Sequence, residues 1–147
     1  MTTTTSSSGE LTPQQWNEVM APPADLAARC AQLMPHDDVL DVDELEALVR
    51  AIAEDPELFE PLVVVDPDRR RYRLLFEDHR IDVWVLSWMD GQGTGFHDHD
   101  LSGVGLCCAR GEVVERQMLL PTGATSVSMT PGVSRQGPAG YIHSVAH

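Results

Sequence analysis

The chain has 147 residues, of which 42% are hydrophobic and 22% are charged, as in an ordinary soluble globular protein. Its formal net charge of −13 argues against binding to nucleic acid or anionic membrane surfaces, because both require clusters of Lys and Arg. No apolar run approaches the roughly 20 residues of a membrane-spanning helix, and the N-terminus lacks the pattern of a secretion signal.

The cysteines predict a reducing compartment. Cys30, Cys107 and Cys108 form no disulfide framework, and neighbouring residues of a strand point to opposite faces. We interpret all three as structural thiols. We therefore expect a cytoplasmic protein, and a monomer.

The N-terminal part of the chain is predicted to be helical. Residues 1–10 are rich in Thr and Ser and predict a disordered tail. Thr12 followed by Pro13 predicts the start of a short helix, which Pro22-Pro23 would interrupt. Residues 25–34 predict a second helix. Residues 43–54 predict the clearest one, because apolar residues recur there at helical spacing.

After residue 61 the sequence changes to short β-branched or aromatic runs separated by Gly, Pro and Asp. Short strands at such spacing predict an all-β sandwich or barrel. We therefore expect a mainly β protein in which residues 11–147 form a single domain, with a helical part over 11–60 and a β-barrel over 61–147. The predicted strands are residues 63–65, 72–76, 81–88, 104–109, 113–120 and 125–129.

Three histidines are the candidate metal ligands. His97 and His99 are separated by one residue, so a strand would present both imidazoles on the same face. Neutral imidazole binds iron, zinc, copper or nickel. Such a pair alone is weak evidence, and an ordinary surface or core pair is the competing interpretation. His143, which follows a Pro-Ala-Gly turn, would supply a third imidazole.

The spacing of these histidines resembles the two motifs of the cupin superfamily, a small β-barrel or jelly roll that holds a metal in its mouth. The first motif covers Gly91 to Gly111 and the second covers Gly132 to His147. Val104 stands where many cupins have a metal-binding Glu, and His147 where they usually have Asn. These departures leave three histidines and no carboxylate as ligands.

Several segments resemble the cysteine dioxygenase family of thiol dioxygenases within the cupins. They are residues 71–76, His97-Asp98-His99 with Ser102, residues 111–115 and residues 141–145. The resemblance implies a dioxygenase that uses Fe(II), bound by His97, His99 and His143, to oxidise L-cysteine to cysteine sulfinate with O2. By their chemistry alone, the imidazoles would equally accept zinc or nickel.

Arg73 falls where the resemblance implies the arginine that binds the substrate carboxylate. The competing interpretation, from the residues alone, is a solvated member of the basic stretch 69–71. Relatives that act on 3-mercaptopropionate often carry Gln at this position, so Arg73 favours L-cysteine over that thiol. A metal-binding or ligand-sensing cupin without catalytic activity is the third possibility.

The remaining polar and aromatic candidates receive structural interpretations. Glu115 is interpreted as a carboxylate on a strand surface, and Tyr141 and Trp88 as barrel core. His36 and His79 are interpreted as solvated turn residues.

The resemblance also bears on the end of the chain. The family continues beyond the third ligand with a further strand that bears a His and a Tyr near the metal. We therefore expect a C-terminal continuation of about 20 or more residues, the length of a turn plus one or two strands. His147 is either a hydrogen-bond donor near the metal or a terminal residue without a role.

Overall fold

The structure, a computed structural model, describes residues 21–147 and is mainly β, as predicted. The predictions of a disordered tail over residues 1–10 and of a helix beginning at Thr12 concern residues outside the described ones. Within residues 21–147, no helix has both the length and the apolar character needed to cross a bilayer. The helices are α1 (Ala24–Ala31), α2 (Val42–Ala53), α3 (Pro56–Phe59) and a 3-10 turn (Glu60–Leu62). The strands are β1 (Arg71–Glu77), β2 (Asp82–Ser87), β3 (Val104–Cys107), β4 (Val113–Leu119), β5 (Gly123–Met129), β6 (Ser134–Gly137) and β7 (His143–Ala146).

Helix α2 begins and ends where its sequence signals lie. The Asp41 side chain accepts a hydrogen bond from the Glu44 backbone N–H at 2.9 Å, and the Glu44 side chain accepts one from the Asp41 N–H at 2.9 Å. This reciprocal pair satisfies two N–H groups that a helix start leaves without partners. The helix ends before Pro56, which begins α3 at a position that needs no N–H. The predicted helix over 43–54 is confirmed, and the one over 25–34 is shorter than expected.

The strands form three antiparallel sheets, β1–β2, β3–β6 and β5–β4–β7, and the described strands do not close into one hydrogen-bonded barrel. The prediction of a strand over 63–65 was wrong. The Val63 N–H bonds back to the Glu60 carbonyl at 3.1 Å, and the Val64 N–H bonds to the Ser87 hydroxyl at 3.3 Å. The segment therefore continues from the 3-10 turn without a strand partner. Strand β6 was not predicted.

The main buried cluster joins the helices to the β1–β2 sheet. Leu75 and Val83, from these two strands, pack among apolar side chains of all three helices. Burial of such side chains is the main favourable contribution to folding. Within the described residues, the helices therefore pack against the β1–β2 sheet. The helical members of the cluster are Leu26, Cys30, Leu48, Ile52, Leu58 and Phe59.

Helix α2 also lies directly on the β3–β6 sheet. A Cβ atom at Gly105 would come within 2.7 Å of the Leu45 carbonyl carbon, closer than real Cβ atoms approach. Glycine is therefore required where the helix backbone crosses β3. The Ser134 hydroxyl, on β6, donates to Glu46 on the helix at 2.6 Å. This contact fixes the helix over the sheet.

An extended segment, residues 93–97, pairs with β7 beside the three histidines. Gly93 bridges to Ala146, and His97 exchanges both backbone hydrogen bonds with His143, at 2.9 and 3.0 Å. Strand β7 therefore lies between β4 on one side and this segment on the other. The backbone pairing brings the first histidine motif beside the third histidine.

Candidate metal centre

The structure brings the three predicted ligands together. His97, His99 and His143 each offer one ring nitrogen, and these nitrogens all lie within 4.8 Å of one another. The Nε2 atoms of His99 and His143 are 3.0 Å apart. The three rings pack at centroid distances of 4.7 to 5.1 Å. His143 is only 3% exposed, whereas the other two are partly exposed. One side of the cluster is therefore accessible to solvent.

The local backbone differs from the regular strand predicted for the first two histidines. Residues 97–99 lie outside the strands, with only a single bridge at His97. The segment is nevertheless extended enough for exposure to alternate, with Asp98 exposed between two half-buried imidazoles. Side chains therefore still alternate between two faces at residues 97–99, because backbone pairing with His143 extends the chain here.

Hydrogen bonds define the ring nitrogens of two histidines. His97 Nδ1 lies 3.0 Å from the Gly95 carbonyl oxygen, and His143 Nδ1 lies 2.8 Å from a Glu115 carboxylate oxygen. A carbonyl or an ionised carboxylate can only accept, so each Nδ1 carries the proton. Each Nε2 is left with a lone pair for a metal.

The donor set fits a divalent transition metal. Two nitrogens about 2.1 Å from one ion, at a right angle, lie about 3.0 Å apart, which matches the Nε2 separation of His99 and His143. Imidazole suits iron, zinc, copper and nickel. The three histidines could therefore hold a metal ion, and their chemistry does not select which one.

Electrostatics favours the neutral rings that metals require. Burial lowers the pKa of His99 and the neighbouring imidazoles of His143 and His97 lower it further, while Asp82 and Asp98 act in the opposite direction. A lowered pKa keeps His99 neutral at neutral pH. Only a neutral imidazole has the lone pair that binds a metal.

Glu115 was wrongly interpreted as a surface carboxylate. It is 1% exposed, and it accepts hydrogen bonds from His143 Nδ1 at 2.8 Å, the Tyr141 hydroxyl at 2.9 Å and Arg135 Nε at 2.9 Å. Burial raises the pKa of Glu115, but these three hydrogen bonds outweigh burial and hold its pKa below the usual value. In the structure, burial alternates along β4 between Val113 and Glu115, which places the Glu115 side chain on the inward face.

Arg73 is not among the described residues that hydrogen-bond to the three histidines. It lies in β1 opposite Val85, and such cross-strand partners share a face of the sheet. Val85 packs against the main buried cluster. Among the described residues, the half-buried Arg73 has no hydrogen bond or ion pair, whereas its neighbour Arg71 pairs with Asp66. Its predicted role in substrate binding stays a prediction.

Of the other candidates, His147 and His36 have partners outside the cluster. His147 Nδ1 is 2.8 Å from Asp90, and with Trp88 it lines an open cavity of about 460 Å³. His36 pairs with Glu44 and is exposed, as expected for a turn residue. Tyr141 is buried as predicted, but its hydroxyl also takes part in the hydrogen bonds around the metal centre.

Comparison with known protein families assigns the chain to one of them. A family model for cysteine dioxygenase type I matches residues 15–141. The chain belongs to the cysteine dioxygenase type I family. Membership agrees with the mainly β cupin fold and points to a thiol dioxygenase, an enzyme that acts on a small molecule with O2. No curated protein matches the chain.

Two solved structures show more distant likenesses. A conserved protein of unknown function from Streptococcus pyogenes is 19% identical, with 76% of this chain and 77% of that chain covered and a TM-score of 0.49. A cupin domain from Bordetella pertussis Tohama I is 25% identical, with 52% of this chain and 77% of that chain covered and a TM-score of 0.40.

Proposed function

We propose that this cysteine dioxygenase family protein is an Fe(II)-dependent enzyme that oxidises L-cysteine to cysteine sulfinate. The observation that supports the proposal is the convergence of His97, His99 and His143 on one point in a chain of this family. Both atoms of O2 are added to the thiol sulfur, so the reaction needs no further reductant.

The residues suit an anionic sulfur ligand. Bound Fe(II) would supply a positively charged, redox-active centre at which the thiolate and O2 can meet. The three histidines are neutral ligands, and among residues 21–147 the only carboxylate hydrogen-bonded to them, Glu115, lies at His143 Nδ1, away from the metal-binding Nε2. The protein therefore leaves the positive charge of the ion for the substrate to neutralise. Such a site favours a thiolate over a neutral thiol.

The choice of L-cysteine rests on Arg73. In the proposal its guanidinium holds the substrate carboxylate through two parallel hydrogen bonds, which suit a planar donor pair. Arg73 lies opposite Val85, and among the described residues no hydrogen bond or ion pair joins it to the histidines. 3-Mercaptopropionate therefore remains the alternative substrate. A cupin that binds metal without turnover is the remaining alternative.

Oxygen consumption tests the function. The protein is loaded anaerobically with Fe(II), L-cysteine or 3-mercaptopropionate is added, and O2 uptake and the sulfinate product are measured. We expect one O2 consumed per L-cysteine. Uptake with 3-mercaptopropionate alone would overturn the substrate, and uptake with neither thiol would favour the non-catalytic alternative.

Matched histidine variants test the metal ligands. We expect His97→Ala and His143→Ala to lose stoichiometric iron after anaerobic loading, because each removes one of three ligands. His79→Ala, which removes an exposed histidine from the turn between β1 and β2, is the control and should retain iron. Full iron content in both ligand variants would contradict the assignment.

A further inference from the structure

Glu115 is a buried carboxylate that the proposed chemistry does not use directly. Three side chains donate to its two oxygens: His143 and Tyr141 to Oε1, and Arg135 to Oε2. A buried charge is costly unless it is paired and hydrogen-bonded, and here each carboxylate oxygen has a partner. The arrangement is therefore built around the carboxylate.

The carboxylate acts on His143 from the side opposite the cluster. Imidazole has two nitrogens, and the proton sits on one of them when the ring is neutral. Glu115 accepts from Nδ1 at 2.8 Å, while Nε2 faces His99 at 3.0 Å. The contact with Glu115 therefore selects the tautomer whose lone pair points toward the other two histidines.

Arg135 and Tyr141 fix the carboxylate in turn. Arg135 Nε donates to Oε2 at 2.9 Å and brings a positive charge to the buried group. The Tyr141 ring lies against Gly137, where a Cβ would come within 2.1 Å of the ring, so a glycine is needed for the ring to lie there. The ring position in turn sets the hydroxyl 2.9 Å from Oε1. Hydrogen bonds to both oxygens thus fix the position of the carboxylate.

We propose that Glu115 is a positioning residue of the metal centre, which with Arg135 and Tyr141 presets His143 Nε2 as a metal ligand. This inference rests on the proposed function only in taking His143 as a ligand. It assigns to Glu115 no contact with metal or substrate. Its effect is that the ring is already oriented, with the correct tautomer, before a metal arrives.

Metal affinity is the first test. Glu115→Gln keeps the side-chain size but replaces one acceptor oxygen by an N–H donor, so either Arg135 or both His143 and Tyr141 lose their acceptor. We expect Fe(II) to bind about 10- to 100-fold more weakly, measured anaerobically by competition with a chelator. Glu112→Gln is the matched control, because it removes the same charge three residues away, where the carboxylate pairs with Ser128 on the neighbouring strand.

The tautomer is the second test, independent of enzyme activity. In metal-free protein labelled with 15N-histidine, long-range 1H–15N spectra distinguish Nδ1–H from Nε2–H rings. We expect His143 to be in the Nδ1–H form in the parent protein and in Glu112→Gln. We expect an Nε2–H population to appear in Glu115→Gln. If that variant does not fold, Tyr141→Phe removes one donor and should show the same changes to a smaller extent.

The outcomes separate this inference from the function on which it rests. Loss of iron in His143→Ala together with parent-like affinity in Glu115→Gln and Tyr141→Phe would overturn the positioning role alone. Weaker binding with an unchanged tautomer would also overturn it, because the effect would then be general destabilisation. Retention of iron in His143→Ala would instead refute the metal site itself.

Discussion

At the scale of single residues, the proposed choice of substrate rests on Arg73. If its guanidinium holds the carboxylate, Arg73→Ala should lower kcat/KM for L-cysteine by the equivalent of about 2 to 5 kcal/mol, because a partly desolvated charge pair is broken. Arg73→Lys should restore part of the loss, since an ammonium cannot make two parallel hydrogen bonds. Iron content should stay unchanged, because Arg73 is not a ligand.

The control for this prediction is Arg70→Ala, which removes an exposed arginine close by in the chain. We expect its kcat/KM to equal that of the parent protein. A near-normal value in Arg73→Ala would show that Arg73 does not hold the substrate carboxylate and belongs with the neighbouring basic residues 69–71. Substrate recognition would then have to be sought on the face of β1 and β2 that carries Tyr72 and Trp84, whose rings lie 5.7 Å apart.

The histidines of the site could be predicted from sequence, but the groups that support them could not. Spacing alone suggested His97, His99 and His143, because an H-x-H pair and a third histidine after a turn are local patterns. Glu115 was misjudged because a lone carboxylate in a strand usually faces water. Its burial depends on Arg135, a partner 20 residues away, on a strand with no recognisable pattern.

At the scale of elements, Gly105 allows α2 to lie on the β3–β6 sheet. In Gly105→Ala the added methyl would overlap the helix backbone at Leu45, so the helix must shift. We expect a loss of about 1 to 3 kcal/mol in the free energy of unfolding, as for other overpacked sites. Urea denaturation measures the loss. Ser126→Ala, at an exposed position of β5, should change stability by less than about 0.5 kcal/mol.

An unchanged urea midpoint in Gly105→Ala would mean that the helix moves away at no cost and is not fixed over the sheet. Iron content is a second measurement that reports on displacement of the sheet in Gly105→Ala. Strand β3 pairs with β6, which carries Arg135, so a displaced sheet should also disturb the hydrogen bond to Glu115.

The elements differ in how far sequence predicted them. Helix α2 was predicted because its apolar spacing lies within the helix itself. Strand β6 has the sequence Ser-Arg-Gln-Gly, without the apolar alternation that marks a strand. It exists because β3 provides partners for its backbone. Residues 63–65 show the reverse case. Their β-branched side chains predict a strand, but no described strand pairs with them.

At the scale of the whole molecule, Arg80 ties the helical part to the sheets. Its side chain is 8% exposed, bonds to Asp78 beside it in the β1–β2 turn, and donates to the His36 carbonyl in the loop between α1 and α2. The buried cluster joins the same two parts through Leu75. Both contacts agree with a single domain over residues 11–147, which stays a prediction.

The pairing of Arg80 with Asp78 makes stability depend on pH. Hydrogen bonds from the Arg80 side chain, and to a lesser extent from its backbone N–H, hold the pKa of Asp78 below its usual value of 3.8. The folded protein therefore binds this proton less readily than the unfolded chain. The stabilising contribution is complete above the unfolded pKa and is lost as pH falls through the lower, folded pKa.

Asp78→Asn should therefore be less stable than the parent protein at pH 7, because the nearly buried Arg80 loses its charge partner. We expect the difference to begin to shrink as pH falls below about 4, where the carboxylate of the unfolded chain becomes protonated, and to vanish below the lower pKa of the folded protein, where the parent loses the same interaction. Urea denaturation from pH 7 down to the lowest pH with a cooperative transition measures it. Asp68→Asn, at an exposed position nearby, should show no such convergence. A gap between parent and Asp78→Asn that stays constant at every pH would show that the variant acts through packing, because an ionised carboxylate would then contribute nothing.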